Sequence, residues 1–278
     1  MKITIYTIKE YKKQKRKIVA LTAYDYSTAK VLDSAGVDII LVGDSLAQVA
    51  LGHENTLSLT MDEMLHHAKA VVRGVKNAMV VVDMPFLSYQ VNRKDAVLNA
   101  GHCLQIGAQA VKVEGASPAI LKTIKKMISI GIPVLGHIGF TPQSVNALGG
   151  NRVQGKTAGS ASELLKQAQE LQDAGCFAVV IELVPSETAA MITEDLTIPT
   201  IGIGAGSDCD GQILVTDDLL GKFVDFKPSF VRRYAEIGKE SESSIKNFIY
   251  DVQNGKYPGI NESFYMTEPE AQKLTRKN

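Results

Sequence analysis

Short runs of branched apolar residues alternate along the chain with segments in which apolar residues recur at helical spacing. Eight of these runs are typical of β-strands, and helices or loops separate seven of them clearly. In chain order the runs are KIVALTAY (17–24), IILV (39–42), NAMVVVDMPF, AQAVKVEG, IPVLGHIGF, CFAVVIELV, IPTIGIGAG and QILVTDDLLG. The last run is the weakest, because it is read equally well as a strand that passes into a short turn.

The segments between the runs carry the start and stop signals of helices. Ala29 and Leu32 fall on one helical face, and Gly36 closes that helix. Thr60 and Glu63 have the spacing of a capping box at the start of the next long helix. The pattern therefore predicts a repeated strand–helix unit.

Repeated strand–helix units require parallel strands joined by right-handed crossovers. Two architectures satisfy this requirement, an open doubly wound sheet and a closed eightfold barrel. Eight strands in a chain of 278 residues favour the α/β class with a closed (β/α)8 TIM barrel. No Gly-x-Gly-x-x-Gly follows the first strand. GIGAG after the seventh strand is too short to count as that fingerprint, and turns and close packing explain it better than phosphate contact does.

The barrel accounts for most of the chain. We expect residues 1–260 to form a single catalytic domain that begins with a short amphipathic helix, whose lysines face solvent. The chain from Pro228 reads as helical and then irregular, and the polar tail 261–278 is expected to be poorly ordered.

Charge and cysteine content narrow the possible partners and compartment. Thirty basic and thirty acidic side chains cancel, so we expect neither nucleic acid nor an anionic membrane as a partner. Cys103, Cys176 and Cys209 are widely spaced and form no Cys-x-x-Cys pair, which argues against a disulfide framework and for a reducing cytoplasm. The first residues show neither a secretory signal nor a membrane anchor.

Five consecutive strands finish in ionisable or hydroxyl side chains. These are Asp44 and Ser45, Asp83, Lys112 and Glu114, His137, and Glu182. Alone, Asp44 is explained most simply as the cap of the following helix. However, the carboxyl ends of all strands in a barrel meet at one face, so the whole set is expected to form one site.

Such a site needs a cation. The carboxylates of Asp44, Asp83, Glu114 and Glu182 could not all ionise against Lys112 alone without large rises in pKa. Oxygen ligands without thiolates suit Mg²⁺, with Mn²⁺ as an alternative, better than zinc.

A hard metal with open positions is suited to chelate a 2-oxo acid and to stabilise the enolate formed when a neighbouring proton leaves. Glu182, after an apolar run, is the candidate base, and Lys112 would meet the substrate carboxylate with help from Ser45. Carboxylates around Lys112 favour its ammonium form, which argues against a Schiff base. His137 could ligate the metal, although a hydrogen-bonding role is favoured.

Several long motifs point to a family. TAYDYSTAKVLDSAGVDIILVGDSL, VVVDMPF, VKVEG, GHIGFTPQSVNALGGNRVQGK, IELVP and IPTIGIGAGSDCDGQILV closely resemble, in sequence and order, those of the ketopantoate hydroxymethyltransferases. The resemblance runs from about Lys17 to Gly259 and implies a barrel of the phosphoenolpyruvate/pyruvate type. It also implies hydroxymethyl transfer from 5,10-methylenetetrahydrofolate to 3-methyl-2-oxobutanoate in pantothenate biosynthesis, giving 2-dehydropantoate, with Mg²⁺ and a homodecamer of five dimers.

The resemblance assigns roles residue by residue. Asp44 and Asp83 correspond to the family's metal-binding carboxylates, with Glu114 nearby, directly or through water. The 2-oxo acid contacts fall on Asp44, Ser45, Asp83 and Lys112. Glu182 matches the catalytic proton acceptor, and His137 a polar residue of the pocket. Ala47 and Ala116 depart from the usual family pattern, but neither departure removes a reacting group.

Other interpretations stay open at this point. The connection 141–156 is either a lid over the site or a packed structural loop. A lyase or aldolase of the same superfamily that cleaves a diacid would need an additional arginine or similar cation, which no strand end supplies. A barrel that binds a ligand without catalysis would not need the full set of charged residues.

Overall fold

Eight parallel strands close into a barrel in chain order in the computed structural model, which describes residues 2–224 and 227–275. The strands are β1 (Ile18–Thr22), β2 (Ile39–Val42), β3 (Met79–Asp83), β4 (Ala110–Glu114), β5 (Val134–Gly139), β6 (Ala178–Glu182), β7 (Thr200–Ile203) and β8 (Gly211–Leu214). β1 pairs with both β2 and β8, so the sheet has no free edge. The predicted closed barrel is confirmed, and the open sheet is excluded.

Helices follow the strands and surround the barrel. They are α1 (Ile5–Lys13), α2 (Tyr26–Ala35), α3 (Leu46–Val49), α4 (Met61–Gly74), α5 (Arg93–Gln105), α6 (Pro118–Ser129), α7 (Val145–Leu148), α8 (Ala158–Ala174), α9 (Ser186–Asp195), α10 (Thr216–Leu219), α11 (Ile237–Gln253) and α12 (Glu268–Thr275). Two short 3₁₀ turns occupy Thr56–Ser58 and Pro142–Ser144. Among the described helices, none combines the length and apolar character needed to cross a membrane.

The local signals in the sequence act as predicted. Thr60 and Glu63 exchange side-chain and backbone hydrogen bonds in a capping box at the start of α4. Gly36 ends α2 in the left-handed region, with φ of 86°, a conformation that costs glycine little.

Apolar side chains form two concentric layers. Leu41, Val81 and Val180 lie in the inner layer, which fills the barrel. Val42 and Val82 lie in the outer layer, between the strands and the helices. Because both faces of each strand are buried, the strands appear in the sequence as nearly unbroken apolar runs.

The N-terminal helix closes the amino-terminal end of the barrel. Ile8 of α1 is fully buried and packs with the inner layer. Lys12 lies 2.8 Å from the carboxylate of Asp210, at the start of β8, which ties α1 to the barrel. The predicted short amphipathic helix is therefore confirmed.

The C-terminal part of the chain differs from the other strand–helix units. α11 contains no buried side chain, and Ile245, Phe248, Ile249 and Val252 expose an apolar stripe along it. Within the polar tail, Glu268–Thr275 forms α12, and the poor order expected of the tail stays a prediction. Residues 276–278 of the predicted tail lie outside the described residues.

Candidate active site

The inner faces of four neighbouring strands end in ionisable side chains. Residues two apart on a strand share a face, so the inner apolar rows continue towards the carboxyl ends of the strands. There they reach Asp83 on β3, Lys112 and Glu114 on β4, His137 on β5 and Glu182 on β6. These five side chains line one cavity together with Asp44 and Ser45, so the structure brings all the predicted site residues together.

Asp44 and Asp83 are immediate neighbours. The backbone N–H of Asp44 donates to Oδ2 of Asp83, with 2.9 Å between the heavy atoms, and both residues are buried. A Cβ at Gly43 would lie 2.9 Å from Oγ of Ser45 and 3.5 Å from Oδ2 of Asp83. Glycine at this position therefore lets the turn after β2 approach β3 closely.

Helix capping does not explain why β2 ends in Asp44 and Ser45. Ser45 precedes α3, but its side chain makes no capping hydrogen bond. Its Oγ instead lies 2.8 Å from the hydroxyl of Tyr24, a residue that the sequence did not mark as part of the site. Ser45 is thus held at the cavity wall.

Lys112 is the cation at the centre of the carboxylates. Its Nζ lies 2.5 Å from Oδ1 of Asp83, and both side chains are buried. Burial disfavours the ammonium ion, but the charges of Asp83, Asp44 and Glu114 outweigh it and raise the pKa of Lys112 above its usual value. Lys112 therefore stays charged and is a poor amine nucleophile.

His137 lies between two carboxylates. Its Nε2 is 3.2 Å from Oε2 of Glu182, and its Nδ1 is 3.5 Å from Oε1 of Glu114. Burial and the charge of Lys112 favour the neutral ring, but the two carboxylates outweigh them and raise the pKa of His137 to about 9. The imidazolium form can therefore fix the position of Glu182 at neutral pH. Neither contact has the alignment of a hydrogen bond.

The site carries more negative charge than Lys112 and His137 balance locally. Burial, followed by the charges of Asp83 and Glu114, raises the pKa of Asp44 to about 8. Oδ1 of Asp83 is buried against Nζ of Lys112, and Oε1 of Glu114 is buried 3.5 Å from Nδ1 of His137; neither oxygen has a further partner in the described ranges. These features suit a bound cation, which would favour ionised carboxylates.

The donor set fits magnesium. Mg²⁺ is usually held by one or two carboxylates and completes its shell with substrate oxygens and water. Asp44 and Asp83, which are joined by a hydrogen bond, would supply the two carboxylates. Within residues 2–224 and 227–275 there is no group of three or more His, Cys, Asp or Glu side chains placed to hold a metal. Glu114 as a ligand stays a prediction.

A neutral side chain that the sequence did not mark connects the acidic groups. Nε2 of Gln143 donates to Oδ2 of Asp44 at 3.0 Å and to the carbonyl of Met84 at 2.9 Å. Its Oε1 accepts from the hydroxyl of Tyr89 at 2.9 Å, and its backbone N–H donates to Oε2 of Glu114 at 3.0 Å. Gln143 therefore fixes the orientation of the Asp44 and Glu114 carboxylates at the cavity wall.

The cavity is larger than a small oxo acid requires. Its volume is about 630 Å³, within the range of small-molecule sites. The connection between β5 and α8 contributes six lining residues, Phe140, Pro142, Val145, Asn146, Asn151 and Val153. That this connection acts as a lid stays a prediction.

Comparison with solved structures places the fold. Phosphonopyruvate hydrolase in complex with oxalate and Mg²⁺ matches with a TM-score of 0.60 and 13% identity, over 99% of this chain and 97% of that chain. A 2,3-dimethylmalate lyase, described as a PEP mutase/isocitrate lyase superfamily member, matches with a TM-score of 0.60 and 14% identity over 99% of both chains. At these identities the likeness supports the barrel type alone.

Comparison of the sequence is more specific. The chain is 56% identical to a 3-methyl-2-oxobutanoate hydroxymethyltransferase of Acetivibrio thermocellus, over 95% of this chain and 93% of the relative. It is 52% identical to a 3-methyl-2-oxobutanoate hydroxymethyltransferase of Clostridioides difficile, over 99% of this chain and 100% of the relative. The sequence model of the family described as ketopantoate hydroxymethyltransferase matches residues 2–260. The chain therefore belongs to the ketopantoate hydroxymethyltransferase family.

Proposed function

We propose that this hydroxymethyltransferase converts 3-methyl-2-oxobutanoate, 5,10-methylenetetrahydrofolate and water into 2-dehydropantoate and tetrahydrofolate, as a step of pantothenate biosynthesis. The observation that carries the proposal is the meeting of Asp44, Asp83, Lys112 and Glu182 in one cavity at the carboxyl ends of the strands. These groups can bind an oxo acid at its carboxylate and carbonyl end and remove a proton from C3.

Asp44 and Asp83 would hold magnesium, with Glu114 nearby. When bound, the ion would act as a Lewis acid towards the substrate oxygens and favour the enolate. Lys112 binds the substrate carboxylate through its ammonium group, with Ser45 as a further hydrogen-bond donor. These contacts would hold the oxo acid with C3 towards Glu182.

Glu182 is the proposed base that takes the proton from C3. Its side chain is 17% exposed, and it lines the cavity with one oxygen 3.2 Å from His137. The neighbouring imidazolium holds the carboxylate in place, which makes His137 a positioning residue. Water adds to the one-carbon unit of the folate, whose bonds to the two folate nitrogens break, so that tetrahydrofolate leaves and the carbon is released at the oxidation level of formaldehyde. The nucleophilic C3 then adds to this carbon, whose oxygen takes up a proton and becomes the new hydroxyl.

Deuterium exchange tests the proposed base directly. Glu182→Gln should lower the rate of exchange at C3 of 3-methyl-2-oxobutanoate in D₂O by roughly a hundredfold or more, since general bases contribute about 10² to 10⁴. Mn²⁺ binding, followed by electron paramagnetic resonance, should persist in this variant. Glu187→Gln removes an exposed carboxylate just beyond β6 and serves as the control. Exchange at the wild-type rate in Glu182→Gln would exclude Glu182 as the base.

The cavity favours a monoacid over a diacid substrate. Lys112 is the one lysine or arginine among the lining residues in the described ranges. A lyase that cleaves a diacid would need a second cation for the second carboxylate. The cation content of the cavity therefore supports the transferase over the lyase.

We also propose that the chain acts as a homo-oligomer, with the family's homodecamer as the expected form, in the cytoplasm. Ile245, Phe248, Ile249 and Val252 lie three and four positions apart on α11 and are each 46–58% exposed. A stripe of this kind is typical of a helix that packs against a partner surface. The three buried free cysteines support a reducing compartment.

A further inference from the structure

The cavity has a second, apolar half that the oxo acid does not use. Leu183, Ile203, Leu214 and Val215 line it at the carboxyl ends of β6, β7 and β8, and Phe230 covers it from the segment that follows. The acidic groups and Lys112 lie on β2 to β6. The cavity is thus divided into a charged side and an apolar side.

An aromatic ring is seated firmly on the apolar side. A Cβ at Gly204 would lie 3.1 Å from Cδ1 of Phe230 and 3.0 Å from Cδ2 of Leu183. Gly204 has φ of +59°, and Leu183 has φ of 47° although it carries a side chain. The ring therefore rests directly on the backbone at the end of β7, where it offers a flat surface for stacking.

One carboxylate on this side has no partner. Asp218 of α10 lines the cavity and is only 8% exposed, yet no group in the described ranges donates to its carboxylate, and its backbone carbonyl accepts from Gly221. The adjacent Asp217 lies 3.1 Å from Nζ of Lys222. The nearby Arg233 donates to Glu236 and to the carbonyl of Phe223 instead.

A carboxylate that is largely buried and has no protein donor is poorly solvated, which is unfavourable. Burial, followed by the charge of Asp217, raises the pKa of Asp218 to about 6, whereas Arg233 acts in the opposite direction. The oxo acid cannot satisfy this group, since its own carboxylate would be repelled by Asp218. A ligand with N–H donors would satisfy it.

The proposed function supplies such a ligand, and the next step rests on it. The pterin ring of a reduced folate is a flat heterocycle with a ring N–H and an exocyclic amino group side by side. A carboxylate can accept two parallel hydrogen bonds from such a pair. We propose that the apolar half of the cavity is the pterin subsite, in which Phe230 stacks on the ring and Asp218 accepts from the ring N–H and the amino group.

The test compares kinetic constants for the two substrates in the full-length enzyme. Asp218→Asn should raise the KM for 5,10-methylenetetrahydrofolate roughly tenfold or more, the effect of losing a hydrogen bond to a charged group. The KM for 3-methyl-2-oxobutanoate should change far less. Asp208→Asn removes an exposed carboxylate of the β7–β8 connection that does not line the cavity, and it is the matched control.

A folate analogue gives a second measurement that does not depend on the variant. A tetrahydrofolate analogue without the exocyclic amino group should inhibit wild type roughly tenfold more weakly than tetrahydrofolate, because the donor to Asp218 is missing. In Asp218→Asn the difference between the two inhibitors should shrink, since the interaction is already lost.

The outcomes separate the two proposals. A wild-type enzyme that binds the analogue as tightly as tetrahydrofolate, or an Asp218→Asn enzyme whose folate KM equals that of Asp208→Asn, overturns the pterin subsite while the proposed reaction stands. A wild-type enzyme that exchanges no proton at C3 and makes no product overturns the proposed reaction, and the subsite with it.

Discussion

Replacing Asp44 by asparagine should stabilise the metal-free protein at alkaline pH while it abolishes metal binding. In the folded protein the pKa of Asp44 is raised from 3.8 to about 8, by burial and by the charges of Asp83 and Glu114. The unfolded chain loses the Asp44 proton near pH 4, whereas the folded chain keeps it until about pH 8. Asparagine has nearly the same shape and still accepts a hydrogen bond from Gln143.

The sign and size of the effect follow from proton linkage. Between about pH 4 and pH 8 the folded state binds more protons than the unfolded state at this site, so the free energy of unfolding falls as pH rises. One pKa unit corresponds to about 1.4 kcal/mol, and ionising Asp44 at pH 9 therefore costs the metal-free fold roughly 6 kcal/mol. At pH 4 and below, this cost is absent.

Equilibrium denaturation of EDTA-treated protein at pH 5, 7 and 9 measures the effect. The free energy of unfolding of wild type should fall relative to that of Asp44→Asn at each higher pH. At pH 9 the two free energies should differ by several kcal/mol. Other titrating groups largely cancel in this comparison of two nearly identical proteins. Added Mg²⁺ should restore wild type at pH 9, through its preferential binding to the folded state, and leave the variant unchanged.

A difference in stability between wild type and Asp44→Asn that does not vary with pH would refute the reasoning. It would mean that Asp44 ionises as easily in the folded chain as in the unfolded one. Asp208→Asn, which removes an exposed carboxylate, should show no comparable trend and checks that loss of charge alone is not the cause.

Two further predictions concern positioning and assembly. Gln143→Leu should weaken Mn²⁺ binding roughly ten- to a hundredfold, because the variant no longer holds the Asp44 carboxylate in its orientation. A Mn²⁺ titration followed by electron paramagnetic resonance measures the affinity. A variant that binds Mn²⁺ as tightly as wild type would contradict the prediction. Phe248→Glu should place a charge in the apolar stripe of α11 and reduce the mass of the oligomer measured by light scattering. Lys246→Glu changes a residue of the same helix outside the stripe and should leave that mass unchanged. An unchanged mass in Phe248→Glu would remove the stripe from the interface.

The barrel and most of its site were predictable from the sequence. The strands were visible because burial on both faces makes them nearly continuous apolar runs. The site was visible because charged residues such as Asp83 and Glu182 end those runs, and barrel closure brings the strand ends together. In both cases the signal lies in consecutive residues of one strand.

The site residues that were not predicted carry no comparable signal in the sequence. Gln143 is a neutral side chain in a long connection, and only the folded chain shows that its amide reaches Asp44. Tyr24 and Tyr89 are read equally well as core residues, since each is buried. Phe230 and Asp218 enter the cavity from the segment after β8, where periodicity is weak, so the sequence does not predict the apolar half of the cavity.

The buried carboxylates at the strand ends, which the proposed reaction needs, lower the stability of the folded chain when no metal is bound. The inner rows of the barrel are apolar until they reach Asp83, Glu114 and Glu182, and each of these carboxylates replaces a side chain that would have packed well. Lys112 and His137 offset part of this charge, but the pKa of Asp44 stays raised to about 8. The remaining imbalance is what a divalent ion and an oxo acid would relieve when they bind. Binding energy and fold stability are therefore linked through Asp44, and a variant that gains stability there should lose the metal.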